Sequence, residues 1–306
     1  MSLLLAFNLA ASAEEAPPIV NGDRTDDWEQ VGALIVRYGN QGSSFCSGTL
    51  IAPRWVLTAA HCIEAAKSYY RQGYTISFAM GDLSDPIEMV DGESFKAHPS
   101  YSSSSLQYDV GLMELNEAVV EVVPIRLNRE RMNSQWKGVD ITFVGYGATS
   151  DSGQGSGAKR YAEIPIYDIS NSYFRAFDSE SNLCSGDSGG GGLLLGDDGN
   201  WYVVGVNSFV FAVQSSTSCR GGGSGSGRVD AAMEWIDTKI DDLESFYEPD
   251  IVYVSDTAEL DTGDPIRPNQ TGLEPGGGCS SAPSSASWGL LAVAGLLIRR
   301  RRASAG

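Results

Sequence analysis

A chain of 306 residues exceeds one typical domain yet fits a single all-β unit, because such folds run to about 200–250 residues in one piece. Its formal charge is −18, from 21 basic and 39 acidic residues, and four of the basic ones are the terminal cluster Arg299 to Arg302. Nucleic acid and anionic membranes are repelled by such a surface, and the sequence carries no metal cluster, nucleotide loop or cofactor motif.

The first stretch, Ser2 to Ala13, is apolar and ends in Ala11, Ser12, Ala13, the small-residue pattern of a signal-peptidase site, with a buried first strand as the alternative. Residues 14–18 follow as a short spacer. From Val31 to Gly147 the chain runs in short apolar or alternating segments, among them Ala33 to Tyr38, Ser47 to Ile51, Thr75 to Met80 and Ile141 to Tyr146. Gly, Pro, Asn and Asp punctuate them, so strands and turns are expected, and no segment before the C-terminal part has a convincing helical period.

Of the two histidines, His98 lies in Ala97-His98-Pro99-Ser100-Tyr101 and reads as a structural turn residue. His61 ends the apolar run Trp55 to Ala60 and precedes Cys62. Asp109 opens the strand-like run Val110 to Leu115. Further on, Cys184-Ser185-Gly186-Asp187-Ser188 is followed by four glycines. Taken alone, that stretch is equally a flexible surface loop or a turn built to bring backbone N–H groups against a ligand. A serine hydroxyl needs a base to take its proton, and the base needs an acid to orient it, so Ser188, His61 and Asp109 form a candidate set.

Leu193 to Leu195 and Trp201 to Val206 flank Asp198-Gly199-Asn200 and read as a hairpin. Val229 to Leu243 spaces Val229, Met233, Trp235, Ile236 and Ile240 as an amphipathic helix that packs on the domain. Residues 248–278 are an acidic, Gly- and Pro-rich linker. Then come Cys279, the apolar run Trp288 to Ile298 and the four arginines. Eleven strongly apolar residues fall short of the roughly 20 needed to cross a bilayer, although the weakly polar flank from Ala282 extends them.

The three motifs, in the order histidine, aspartate, serine, resemble those of the trypsin/chymotrypsin-type serine proteases over about Ile19 to Tyr247. The resemblance implies an all-β fold of two antiparallel six-stranded β-barrels with a C-terminal helix and the site at their junction. It implies His61 as general base, Asp109 as the residue that holds its tautomer, Ser188 as nucleophile, and the N–H groups of Gly186 and Ser188 as an oxyanion hole. It further implies disulfides Cys46–Cys62 and Cys184–Cys219, against the alternative of free buried thiols, and hence an oxidising, extracytoplasmic compartment. Ile19-Val20-Asn21-Gly22 looks like the family's mature start, which makes residues 14–18 a short propeptide and implies that the freed α-ammonium pairs with Asp187. Pro18 stands before Ile19 where a basic residue is usual, so a trypsin-like activator does not fit.

By the same resemblance Asn182 lies at the base of the specificity pocket, Ser208, Phe209 and Val210 run beside the substrate backbone, Val210 narrows the pocket, and Ser208 hydrogen-bonds Asp109. An uncharged small or medium residue before the scissile bond is expected. The Gly-rich Cys279 motif with its apolar run and arginines resembles the cysteine-containing sorting signal of myxobacteria; a plain membrane anchor is the alternative. The expectation is an exported, surface-sorted, monomeric serine endopeptidase without metal or cofactor, meeting protein substrates, an activating protease and sorting machinery, and touching membrane only through residues 279–306. The competing expectation is a catalytically silent binding module displayed on a protease scaffold.

Overall fold

The structure, a computed structural model, describes residues 19–39, 41–213 and 219–247. The expected signal segment, propeptide, linker and Cys279 tail lie outside these residues. A short strand β1 (Asp23–Arg24) leads into the first barrel, formed by β2 (Val31–Tyr38), β3 (Gln41–Ala52), β4 (Trp55–Thr58), β5 (Thr75–Asp82), β6 (Asp85–Ala97) and β7 (Gly111–Leu115). The strands close in the order β2-β3-β4-β7-β6-β5, every pair antiparallel. Leu34, Leu50, Val56, Phe78, Leu112 and Met113 are fully buried in its core. Each such side chain contributes about 1.5–3 kcal/mol of transfer free energy.

The second sheet contains β8 (Arg126–Leu127), β9 (Asp140–Gly145), β10 (Arg160–Ile169), β11 (Tyr173–Ala176), β12 (Gly191–Leu195), β13 (Trp201–Phe211) and β14 (Gly223–Arg228). Its path β10-β11-β14-β13-β12-β9 closes through the β9–β10 pairing, giving the second six-stranded barrel; β1 adds to β10, and β8 pairs in parallel with β13. Phe143, Ile164, Phe174 and Val204 fill this barrel, and Ile19 is buried with them. In β10 the side chains alternate inward and outward with the period of two that a half-buried strand requires. The expected hairpin is β12 and β13, with Leu195 opposite Trp201.

The register of the glycine-rich segment is set by aromatic rings. Phe209 faces Gly225 and Phe211 faces Gly223 across β13–β14. A Cβ on Gly225 would come within 2.1 Å of the Phe209 ring, so only glycine permits the close approach.

Two helical expectations are corrected. Residues Ala60–Arg71 form a helix, α1, where no helical period was expected: Ala60, Cys62, Ile63 and Ala66 are its buried positions, and the alanines make a weakly apolar stripe that a hydrophobicity pattern underweights. The C-terminal helix α2 (Val229–Asp237) is shorter than expected; Ile240 is buried from the turn beyond it, and a 3-10 segment follows at Leu243–Tyr247. No helix among the described residues is long and apolar enough to cross a membrane.

Candidate active site

His61 is the second residue of α1, so the helix start and the end of β4 aim it into the junction of the barrels. Its Nδ1 lies 2.7 Å from Asp109 Oδ2, and its backbone N–H donates to Oδ1 at 2.9 Å. Asp109 is fully buried two residues before β7, following Tyr108 at φ +50°. A third donor, Ser208 Oγ from β13, reaches Asp109 Oδ2 at 2.5 Å, the contact the sequence suggested. Burial pulls the Asp109 carboxyl upward, but the hydrogen bonds and charge of His61 together with the Ser208 bond outweigh it and hold the group below the usual carboxylate range. With Asp109 accepting at Nδ1–H, the imidazole keeps Nε2 free to accept a proton.

Ser188 sits on the loop before β12, pinned from both sides. Its carbonyl accepts from Ser47 N at 2.8 Å; Ser47 Oγ donates to Gly186 O at 2.8 Å and accepts from Tyr146 N at 3.0 Å. Gly186 at φ +98° and Gly189 at φ +87° turn the loop. A Cβ on Gly189 would stand 2.1 Å from Thr58 Oγ1, so β4 closes directly over it. The N–H groups of Gly186 and Ser188 donate to no acceptor among the described residues, which leaves two donors on one turn. The Ser188 hydroxyl itself donates to Ser208 O at 3.5 Å and not to His61.

Asp187, between these two donors, is completely buried. Its carboxylate accepts from Gly147 N at 2.8 Å and Cys184 N at 2.9 Å. Burial nevertheless pushes its pKa up to about 7, against the smaller lowering effects of those two bonds and of Arg160. Beside it Val20 pairs with Asn182, N to O at 2.9 Å and 3.3 Å in the two directions, and Ile19 is fully buried. Both expected disulfides are formed, Cys46–Cys62 beside the histidine and Cys184–Cys219 beside the serine loop.

A cavity of about 150 Å³ opens next to Ser188, lined by Leu183, Cys184 and Ser185 on one side and Asn207 to Val210 on the other. No charged side chain lines it; its wall is mixed, Leu183, Phe209 and Val210 being apolar and Ser185, Ser188, Asn207 and Ser208 polar. Ser208, Phe209 and Val210 line it, whereas Asn182, expected at its base, is not among the lining residues; it is 1% exposed and its Oδ1 accepts from Ser224 Oγ. His98 is away from the serine loop: Tyr108 stacks on its ring, Trp235 meets it edge-on, its Nδ1 accepts from Ser100 N, and burial lowers its pKa. Two groups of metal-type ligand atoms occur among the described residues, Cys46/His61/Cys62 and Asp151/Cys184/Cys219, but the sulfurs of each are joined in a disulfide and offer no thiolate. Ser47 carries no sequence signal beyond its place in a strand, and its role as the tie between barrels emerges only from the packing.

The family model described as Trypsin matches residues 19–236. A protein named trypsin from Simulium vittatum is 33% identical over 225 residues, covering 66% of this chain and 86% of its own. Brachyurin from Leptuca pugilator is 28% identical over 228 residues, covering 70% and 94% respectively. The proclotting enzyme of Tachypleus tridentatus is 27% identical over 210 residues, 60% of this chain and 56% of its own length. With its two closed barrels, the buried aspartate behind a histidine and the glycine-flanked serine loop, the chain belongs to the trypsin family of serine endopeptidases.

Proposed function

We propose that Ser188, His61 and Asp109 form the catalytic triad and that peptide bonds are hydrolysed through an acyl-enzyme. In this reading Ser188 Oγ attacks the scissile carbonyl carbon while His61 Nε2 takes the hydroxyl proton. The carbonyl electron pair moves to oxygen, which the N–H groups of Gly186 and Ser188 receive; such a donor contributes about 3–4 kcal/mol in comparable enzymes. Collapse expels the leaving amine, which takes the proton from His61, and water repeats the sequence to release the acid. Asp109, ionised and gripped at both oxygens by His61, keeps Nδ1 protonated and stabilises the imidazolium. The observation that carries the proposal is this two-point grip beside a serine turn with two unengaged N–H donors.

The uncharged cavity, with Val210 among its lining residues, supports a small or medium uncharged residue before the scissile bond. A buried Lys or Arg there would lack a counter-charge. We further propose export after Ala13, maturation before Ile19 with the new α-ammonium pairing with Asp187, and sorting through Cys279 to the cell surface or the medium. The two disulfides support an oxidising compartment. The bond from Ser188 Oγ to Ser208 O favours the second reading, a silent binding module, because a working triad needs that hydroxyl turned to His61. Labelling of protein beginning at Ile19 by a fluorophosphonate separates the two: adduct formation lost in Ser188→Ala supports the protease, and no adduct in the parent protein refutes it.

A further inference from the structure

A second cavity, of about 100 Å³, is lined by Arg24 to Asp26, by Gly81 and Asp82 at the end of β5, and by Gly157 to Lys159 before β10; the chemistry above uses none of it. Lys159 is only 6% exposed, yet no carboxylate pairs with it among the described residues. Its Nζ donates to the backbone carbonyls of Asp26 at 3.3 Å and Trp28 at 3.4 Å, long contacts that replace little of the hydration an ammonium loses on burial. Burial pulls its pKa down, and the charges of Asp26, Glu29 and Asp27 offset this only in part. A buried ammonium at a cavity wall, without an anion, is one half of an ion pair.

The other charged groups of the lining say what the second half is. Arg24 is exposed on β1; its charge reaches Asp82, but the Asp82 carboxylate accepts from Ser84 N at 2.8 Å and Ser84 Oγ at 2.7 Å. Asp26 is exposed, and its carboxylate accepts no hydrogen bond among the described residues. Two cations and two acids balance, so a dianion such as phosphate meets repulsion as well as attraction. A zwitterion is matched at both ends, its carboxylate by Lys159 and Arg24 and its ammonium by Asp26. Size narrows the class further: a cavity of about 150 Å³ holds the six heavy atoms of benzene, so one of about 100 Å³ holds roughly four or five, the count of glycine.

The cavity is joined to the serine turn by two residues. Tyr146 bonds to two of its walls, Oη donating to Gly81 O at 2.8 Å and the carbonyl accepting from Gly157 N at 2.9 Å. The N–H of Tyr146 donates to Ser47 Oγ at 3.0 Å, and Ser47 Oγ donates to Gly186 O at 2.8 Å. We propose that this cavity is an effector site for a small zwitterionic amino acid of about glycine's size, whose carboxylate pairs with Lys159 and Arg24 and whose binding steadies the Gly186–Ser188 turn through Tyr146 and Ser47. Neither part of this depends on Ser188 being a nucleophile.

The experiment uses the chain from Ile19 onward as the parent, as Lys159→Met, and as Arg24→Gln, the last an exposed position whose substitution leaves the fold intact. Each is titrated calorimetrically with glycine, acetate and inorganic phosphate at one pH and ionic strength. Glycine is expected to bind the parent with a Kd of about 1 mM, and acetate and phosphate about tenfold more weakly. Arg24→Gln should lose about tenfold in glycine affinity, and Lys159→Met should lose measurable binding. Saturating glycine is expected to slow amide hydrogen exchange in residues 185–190 of the parent about tenfold and to leave it unchanged in Lys159→Met. Absence of saturable glycine binding overturns the site, as does binding that is the same in the parent and both variants. Acetate binding as tightly as glycine overturns the zwitterion, and glycine binding without slower exchange in residues 185–190 overturns the effector role. Both readouts are independent of the reaction, so their failure leaves the protease reading standing, and a parent that binds glycine but takes no fluorophosphonate refutes that reading and not the site.

Discussion

Asp187 offers a direct test of how the serine loop is held in the unprocessed chain. Its buried carboxyl has a pKa near 7, against about 3.9 for an unfolded aspartate. A carboxyl raised in this way keeps its proton in the folded state while the unfolded chain has already released it. Its contribution to stability is fully present below pH 4 and is lost as pH rises through 7. Three pH units correspond to about 4 kcal/mol. The perturbation is Asp187→Asn in protein that retains residues 14–18. The asparagine does not titrate, and its amide faces the Cys184 N–H that the carboxylate accepted, a pH-independent cost of about 1–3 kcal/mol. Denaturant unfolding followed by tryptophan fluorescence between pH 4.5 and 8.5 should show the difference between parent and variant moving by about 3 kcal/mol in the variant's favour, the first part of the loss lying below pH 4.5. Removal of residues 14–18 should reverse the parent's slope, because an α-ammonium beside Asp187 lowers its pKa. A parent–variant difference that stays constant across this range would refute both the burial argument and the pairing proposed for Ile19.

Ser208→Ala removes one of the three hydrogen bonds to Asp109 and leaves its charge, so kcat should fall about tenfold with KM little changed; an unchanged kcat would remove Ser208 from the positioning of the histidine. Val210→Gly widens the uncharged cavity, and the kcat/KM ratio of large over small residues before the scissile bond should rise about tenfold in a peptide series. Serine replacement of both Cys184 and Cys219, which close 35 residues, should cost about 4 kcal/mol in denaturant unfolding, against about 3 kcal/mol for Cys46 and Cys62, which close 16. A smaller loss at Cys184/Cys219 than at Cys46/Cys62 would show that loop length does not set the stabilisation.

Much of this protein was legible before any coordinate. Gly, Pro and Asn punctuation between short apolar runs marks strands because turns need particular backbone conformations, and those residues are few. His61, Asp109 and Ser188, each in its own motif, name the candidate triad because a serine nucleophile needs a base to take its proton and the base needs a group to orient it. What the amino-acid order alone could not decide is everything that depends on proximity between distant segments. The helix at His61 is stabilised by burying small alanines against the barrel, a packing effect that no hydrophobic period announces. Ser47 becomes the tie to the serine loop only because β3 crosses the junction, and the glycines of β14 acquire their register only from the rings of Phe209 and Phe211 across the strand. The raised pKa of Asp187 likewise follows from complete burial, a property of the closed second barrel and not of the residue or its neighbours in the chain.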